Sequence, residues 1–261
     1  MVIVQFILFI LGLVLGSFFN VLIYRLPGDM ELKGERSMCP KCKTVLSPLD
    51  LIPVISWLML KGRCRYCREK ISIQYPLVEL SSGILILLSY YRYGLSLEAL
   101  LLYIFSSACL IVALTDLRTQ IIPDKITLPL LIFFLAISFL RRDTDQNFNL
   151  SLQIAPYLNS FLNALLGVIV CGGFLLLLAE LSHGGMGGGD IKFIAVAGAY
   201  LGWFNAFMVL FFGAILGLIV SFILLKLGKM KKGELIPFGP YLATAGIIIA
   251  NISFSFSFFI F

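Results

Sequence analysis

Charge is scarce in this chain. Only 13% of its 261 residues are Asp, Glu, Lys or Arg, while 60% are hydrophobic and the mean hydropathy is +1.00. A soluble domain carries about 25% charged residues, so a water-soluble globule is excluded. Histidine is nearly absent too. His183, the one present, has no visible partner and reads as a solvated interfacial residue, since a ligand role would want more neighbours. The first apolar stretch, 2–24, lacks a basic leading segment and a small-residue cleavage site, which predicts a retained helix rather than a signal peptide.

Long apolar runs take the place of charge. Candidate spans lie near 2–24, 76–92, 97–115, 125–140, 160–181, 190–202, 204–226 and 240–259. This pattern predicts an all-α polytopic integral membrane protein of about eight transmembrane helices. The sixth span is short for a crossing that needs ~20 residues and is expected to tilt or cross only partly. Three parts follow: a first transmembrane helix (1–24), a polar loop (25–75) and a membrane domain (76–261). The segment 25–75 holds ten of the 20 Lys and Arg. Most of the rest fall in 116–125, at Lys192 and in 226–232, whereas Arg92, Arg141 and Arg142 fall on the other side. By the positive-inside rule the N-terminus is outside and the loop is cytoplasmic. The net charge of +6 is therefore topological first, with attraction to anionic membrane lipids second, and nucleic acid is not an expected partner.

A loop of this size cannot build a sufficient core unaided. Cys39-Pro-Lys-Cys42 and Cys64-Arg-Tyr-Cys67 have the spacing of two zinc-ribbon knuckles, so a structural Zn2+ on Cys39, Cys42, Cys64 and Cys67 is predicted. Free or redox-active thiols are the alternative, and a reducing cytoplasm favours metal over disulfides. Cys109 and Cys171 lie in apolar stretches and read as small buried thiols.

Two acids interrupt this apolar pattern. Asp116 closes the third span and Asp190 ends a run in which five of the six residues 184–189 are Gly. On the expected topology both emerge on the cytoplasmic side. An anion at a helix C-terminus is disfavoured, so Asp116 needs another explanation. Asp190 has a plainer reading as a helix N-cap. Asp124, after Pro123, is expected to cap the fourth span. The glycines must end the fifth span, since each costs a helix about 1 kcal/mol relative to Ala. Gly187 and Gly189, beside a carboxylate, suit a wall that holds a peptide extended. Two acids in a partly dry site titrate as a unit, one ionised to activate water and one protonated to polarise a carbonyl. Glu79 and Glu180 lie near span ends. Glu79 reads either as support for a substrate or cofactor, or as a buried acid paired with a loop Arg or Lys. The stretch 141–160 carries no motif and reads as a connector.

Several motifs occur in order. They are Gly16-Ser-Phe-Phe-Asn-Val-Leu-Ile-Tyr-Arg-Leu-Pro27, the two Cys knuckles with Ser47-Pro48 and Ile52-Pro53 between them, and Gln74-Tyr-Pro-Leu-Val-Glu79. Then come Asp116 to Asp124, Gly187-Gly-Gly-Asp190 with Ile191-Lys192-Phe193, and Ile236-Pro-Phe-Gly-Pro-Tyr241. Together they resemble the type IV prepilin peptidases, bifunctional leader peptidases and N-methyltransferases of the GxGD aspartic class. Phe19, where Leu is commoner, is a conservative departure.

The resemblance implies that catalytic Asp116 and Asp190 cleave the leader of type IV prepilin or pseudopilin precursors at the cytoplasmic face of a bacterial inner membrane. It also implies methylation of the new N-terminus with S-adenosylmethionine. The residues themselves do not support that second activity, because no nucleotide-type glycine loop follows a predicted strand. A peptidase without methylation is one alternative. A secondary transporter would place its acids near the bilayer midplane among inverted repeats, and neither feature is found here. A zinc-dependent scaffold would need the knuckles and neither Asp.

Overall fold

The computed structural model describes residues 2–28, 36–141, 156–182, 187–229, 231 and 236–252. His183, the glycines before Gly187, most of the 141–160 connector and the end of the last expected span lie outside them. The described chain is helical, with two isolated bridge pairings in the polar loop. It forms two compact units, residues 1–107 and 108–261.

The first unit is built on α1 (Val2–Arg25) and α3 (Gln74–Tyr93), with the short α2 (Ile55–Met59) in the loop between them. Between lipid-facing helices burial of apolar surface gives little preference, so close approach of small residues takes over. Gly12 and Gly16, one turn apart, supply it. A Cβ on Gly12 would stand 2.7 Å from Gly83 Cα, and one on Gly16 would stand 2.6 Å from Glu79 Cα. Ser82 Oγ then reaches the Gly12 carbonyl at 2.7 Å and Tyr103 Oη at 2.8 Å. A side chain at either glycine forces the two helices apart.

Helix α4 (Leu97–Thr119) begins where Ser96 Oγ accepts the Ala99 N–H at 3.2 Å, an N-cap bond, and it runs through the division between the units. It continues one turn past the expected end of the third span. The second unit adds α5 (Asp124–Ser138), α6 (Pro156–Gly167), a π-turn at Val168–Gly172, α7 (Gly173–Leu181), α8 (Gly188–Lys226) and α9 (Gly239–Ile252). Within α8 two helices meet at a break at Gly202 (φ 78°, ψ 172°), where the expected sixth span gives way to the seventh. Freed backbone groups in an apolar medium need internal partners. Asn163 Oδ1 accepts the Trp203 N–H at 3.3 Å, and the Cys171 thiol lies 3.4 Å from the Trp203 carbonyl. Cys109 and Cys171 are both fully buried, as small thiols should be. Four described segments are long and apolar enough to cross a membrane: 2–28, 97–119, 158–181 and 188–226.

Candidate active site and thiol cluster

The second unit brings the two singled-out aspartates together. Asp116 is 5% exposed. Its position near the end of α4 would be unfavourable alone, but its Oδ2 accepts the Gly239 N–H at 2.8 Å, at the first residue of α9. The positive end of one helix thus offsets the negative end of another. The contact requires glycine, since a Cβ at 239 would lie 2.7 Å from that oxygen and 3.0 Å from Asp116 Cγ. The 236–241 motif was visible in the sequence, but its contact with Asp116 was not.

Asp190 is not the cap of α8. Gly187 takes that place with extended backbone (ψ 134°), and Asp190 is the third helical residue. Its Oδ1 is buried without a hydrogen-bond partner, so the carboxyl is not spent on capping. Asp190 lies within electrostatic reach of Asp116. The nearby glycines have packing reasons of their own. A Cβ on Gly189 would sit 2.8 Å from Ile122 Cβ, and one on Gly187 would sit 3.3 Å from Asp190 Oδ2. Substitution at 189 therefore moves the helix that carries the acid.

Asp124 also departs from expectation. Pro123 occupies the cap position, and Asp124, the first residue of α5, ion-pairs with Lys192, whose Nζ is 2.7 Å from each carboxylate oxygen. Both partners are substantially exposed, and such a pair is worth ~0.2–1 kcal/mol. Asp124→Asn is therefore expected to keep leader cleavage within about fivefold of the parent, as measured by initial rates.

In the first unit the four knuckle cysteines converge. Their sulfurs all lie within 4.8 Å of one another, and Cys39 and Cys67 are 3.8 Å apart. A tetrahedron with zinc–sulfur bonds of about 2.3 Å has edges of about 3.8 Å, so the residues fit that ion. The knuckles repeat one design. The Cys39 N–H meets the Thr44 carbonyl and the Cys64 N–H meets the Glu69 carbonyl, and each turn closes through a left-handed residue, Lys43 or Arg68. Hydrogen bonds from Thr44 draw the Cys42 thiol down to about 6. Cys67 goes the other way: although the Glu69 amide favours its thiolate, lost solvent and the crowding thiols push it up to about 11. Four sulfurs this close cannot all ionise without a cation among them. Asp50 braces the second knuckle, taking Arg65 Nε at 2.6 Å and Ser47 Oγ at 2.8 Å.

Glu79, also in the first unit, is 7% exposed. The expected alternative was a loop Arg or Lys beside it. Instead its Oε2 accepts the Val54 N–H at 2.7 Å, with Ser17 as a further partner.

An aspartate pair, one member buried and the other half-buried, with a helix N-terminus aimed at the buried one, suits hydrolysis of a peptide bond. Comparison with known proteins agrees. Residues 10–93 match the family model described as Bacterial Peptidase A24 N-terminal domain, and residues 103–222 match the Type IV leader peptidase family. The prepilin leader peptidase/N-methyltransferase of Bacillus subtilis (strain 168) is 36% identical over 242 residues, covering 93% of this chain and 92% of its own. The chain belongs to the type IV leader peptidase family. Proteins of the same printed name from Pseudomonas putida and Neisseria gonorrhoeae are 34% and 33% identical over 268 residues, in each case 92% of this chain and 87% of theirs. No solved structure matches it. Asp116 and Asp190 both fall inside the 103–222 match, whereas Gly239 lies beyond it and was found only through the fold.

Proposed function

We propose that this chain cleaves the leader from type IV prepilin or pseudopilin precursors through Asp116 and Asp190 and then N-methylates the new N-terminal residue. The activities are those named for relatives over nearly the whole length. The residue roles rest on one observation, a close pair of a buried Asp116 and a half-buried Asp190 in which the Gly239 amide marks one member. Two close acids share one proton. Asp116, held in place by the Gly239 amide, is assigned the part of base and Asp190 that of acid. Asp116 takes a proton from water as the oxygen attacks the scissile carbonyl, and Asp190 donates to the carbonyl oxygen. The tetrahedral species then collapses, the amine leaves protonated as the new N-terminus, and the leader keeps the water oxygen in its carboxylate.

Gly239 positions Asp116. Gly239→Ala must displace either the carboxylate or α9, and a hydrogen bond to a charged group is worth about 1.5–3 kcal/mol. Cleavage is expected to slow by about tenfold to a hundredfold. Kinetics on variant protein of unchanged thermal stability checks this, and parent-like turnover would remove the role.

On this reading the loop 25–75 faces the cytoplasm, the N-terminus lies outside, and about eight helices cross a bacterial inner membrane. Zinc on Cys39, Cys42, Cys64 and Cys67 holds the loop. Gly187 and Gly189 line the site where the extended precursor lies. The reading is tested with purified protein in liposomes, a pilin-like precursor and labelled S-adenosylmethionine, with mass spectrometry following leader loss and methyl gain. If the parent cleaves the precursor but transfers no label, the chain is a peptidase alone.

A further inference from the structure

The Pro53–Ile55 turn and Glu79 form a second concentration of unusual structure, and peptide cleavage as described above makes no use of it. Val54 is held at φ 62°, ψ −50°, with the Ile55 N–H only 2.6 Å from the Pro53 carbonyl. That is the rare, strained form of three-residue turn, and a β-branched residue is a poor occupant of it. Strain of this kind persists where the surroundings over-determine it, and it concentrates at functional sites. What holds Val54 is Glu79, which accepts its N–H at 2.7 Å.

Glu79 is itself unusual. It is a buried acid in a chain poor in charge, and among the described residues both of its partners, the Val54 amide and Ser17, are neutral. A carboxylate removed from water calls for a countercharge. At the start of α3 two more polar groups wait, Asn20 reaching over from α1 and Gln74 at the first residue of α3. Asn20 is 2% exposed and spends its amide hydrogens on the Tyr75 and Gly16 carbonyls, leaving Oδ1 buried without a partner. Gln74 Nε2 is a buried donor without an acceptor. A lone carboxylate, an open acceptor and an open donor at one end of the α1–α3 seam match a reactant that carries an ammonium and a carboxylate.

We propose that Glu79, with Asn20 and Gln74 beside it, is the anionic site that receives the amine-bearing cation of the methyl-transfer step. The inference rests on the methyltransferase half of the proposed function. S-adenosylmethionine, when bound, supplies the methyl group: an N–C bond forms as an S–C bond breaks, the sulfonium leaves as a neutral thioether, and the amine sheds one proton. Glu79 offsets the positive charge and takes that proton, passing it to water. The cation has two sources, the ammonium of the methyl donor and the new N-terminus of the cut pilin.

Glu79→Gln separates charge from architecture, because the glutamine carbonyl still accepts the Val54 N–H and keeps the turn. Equilibrium dialysis with labelled S-adenosylmethionine forms one arm and binding of a synthetic pre-cut pilin peptide the other, on full-length protein in detergent. Leader cleavage is expected to stay within about twofold, methyl transfer to fall at least tenfold, and one of the two affinities to fall at least tenfold, identifying the source. Unchanged affinity in both arms overturns the proposal. Joint loss of cleavage and binding also overturns it, since Glu79 would then be structural. Val54→Gly, which accepts the positive φ and leaves the carboxylate alone, should keep both activities; a Val54→Gly enzyme that loses methylation as Glu79→Gln does would assign the effect to the turn. Failure of the parent protein itself to methylate would instead remove the underlying reading.

Discussion

Asp116→Asn and Asp190→Asn each lower leader cleavage by about a thousandfold or more, while the protein stays folded in the membrane. General acid–base groups contribute roughly 10²–10⁴ each, and the two carboxyls serve one step, so either loss disables it. The amide replacing Asp116 can still lie against Gly239, but it cannot accept a proton from water. The amide replacing Asp190 is far too weak an acid to hand a proton to the carbonyl oxygen. Asp190→Asn is nevertheless expected to methylate a pilin supplied already cut, because the reacting amine then exists before the enzyme is added. Cleavage rates on homogeneous single variants and label transfer to pre-cut peptide measure both effects. Parent-like cleavage by either variant would sink the aspartate assignment.

Loss of one knuckle cysteine is the second large effect. Purified protein should carry one zinc per chain, and Cys39→Ser should lose it. The sulfurs lie close enough to share a tetrahedral ion, Cys39 and Cys67 at its edge length, and structural zinc contributes ~10–16 kcal/mol of apparent binding energy that is also folding energy. Beyond the metal, few contacts hold the loop among the described residues: isolated bridge pairings, the Asp50–Arg65 brace, Trp57 laid against Gly62 and bonded to the Ile71 carbonyl, and the Glu79 hold on Val54. Residues 36–73 should therefore become protease-sensitive in Cys39→Ser, with helix content nearly unchanged. Metal analysis showing well under one zinc per chain in parent protein prepared without chelators would count against the centre.

What was legible in the sequence is what depends on near neighbours. Apolar runs placed the helices within a few residues, because a helix satisfies its own backbone wherever the medium is apolar. Knuckle spacing announced the thiol cluster, since each pair of cysteines lies within one short turn. Two acids beside apolar runs stood out as candidates for chemistry, because charge there is expensive. Capping was less legible: Asp124 and Asp190 both looked like caps, but Pro123 and Gly187 hold those places. A preferred cap residue cannot be told from a first-turn acid when each is favourable to the same helix dipole.

The tertiary structure decided how the acids are held. Asp116 receives its amide from a residue 123 positions away, Lys192 finds Asp124 across 68 positions, and Glu79 secures Val54 across 25. None of these contacts leaves a local periodicity to read. Each depends on where a helix end comes to rest, and that is set by glycines at which helices approach closely: Gly12 and Gly16 on α3, and Gly189 on Ile122. Such contacts arise only when whole helices pack, so a motif such as Ile236–Tyr241 can be recognised in the chain long before its role can be stated.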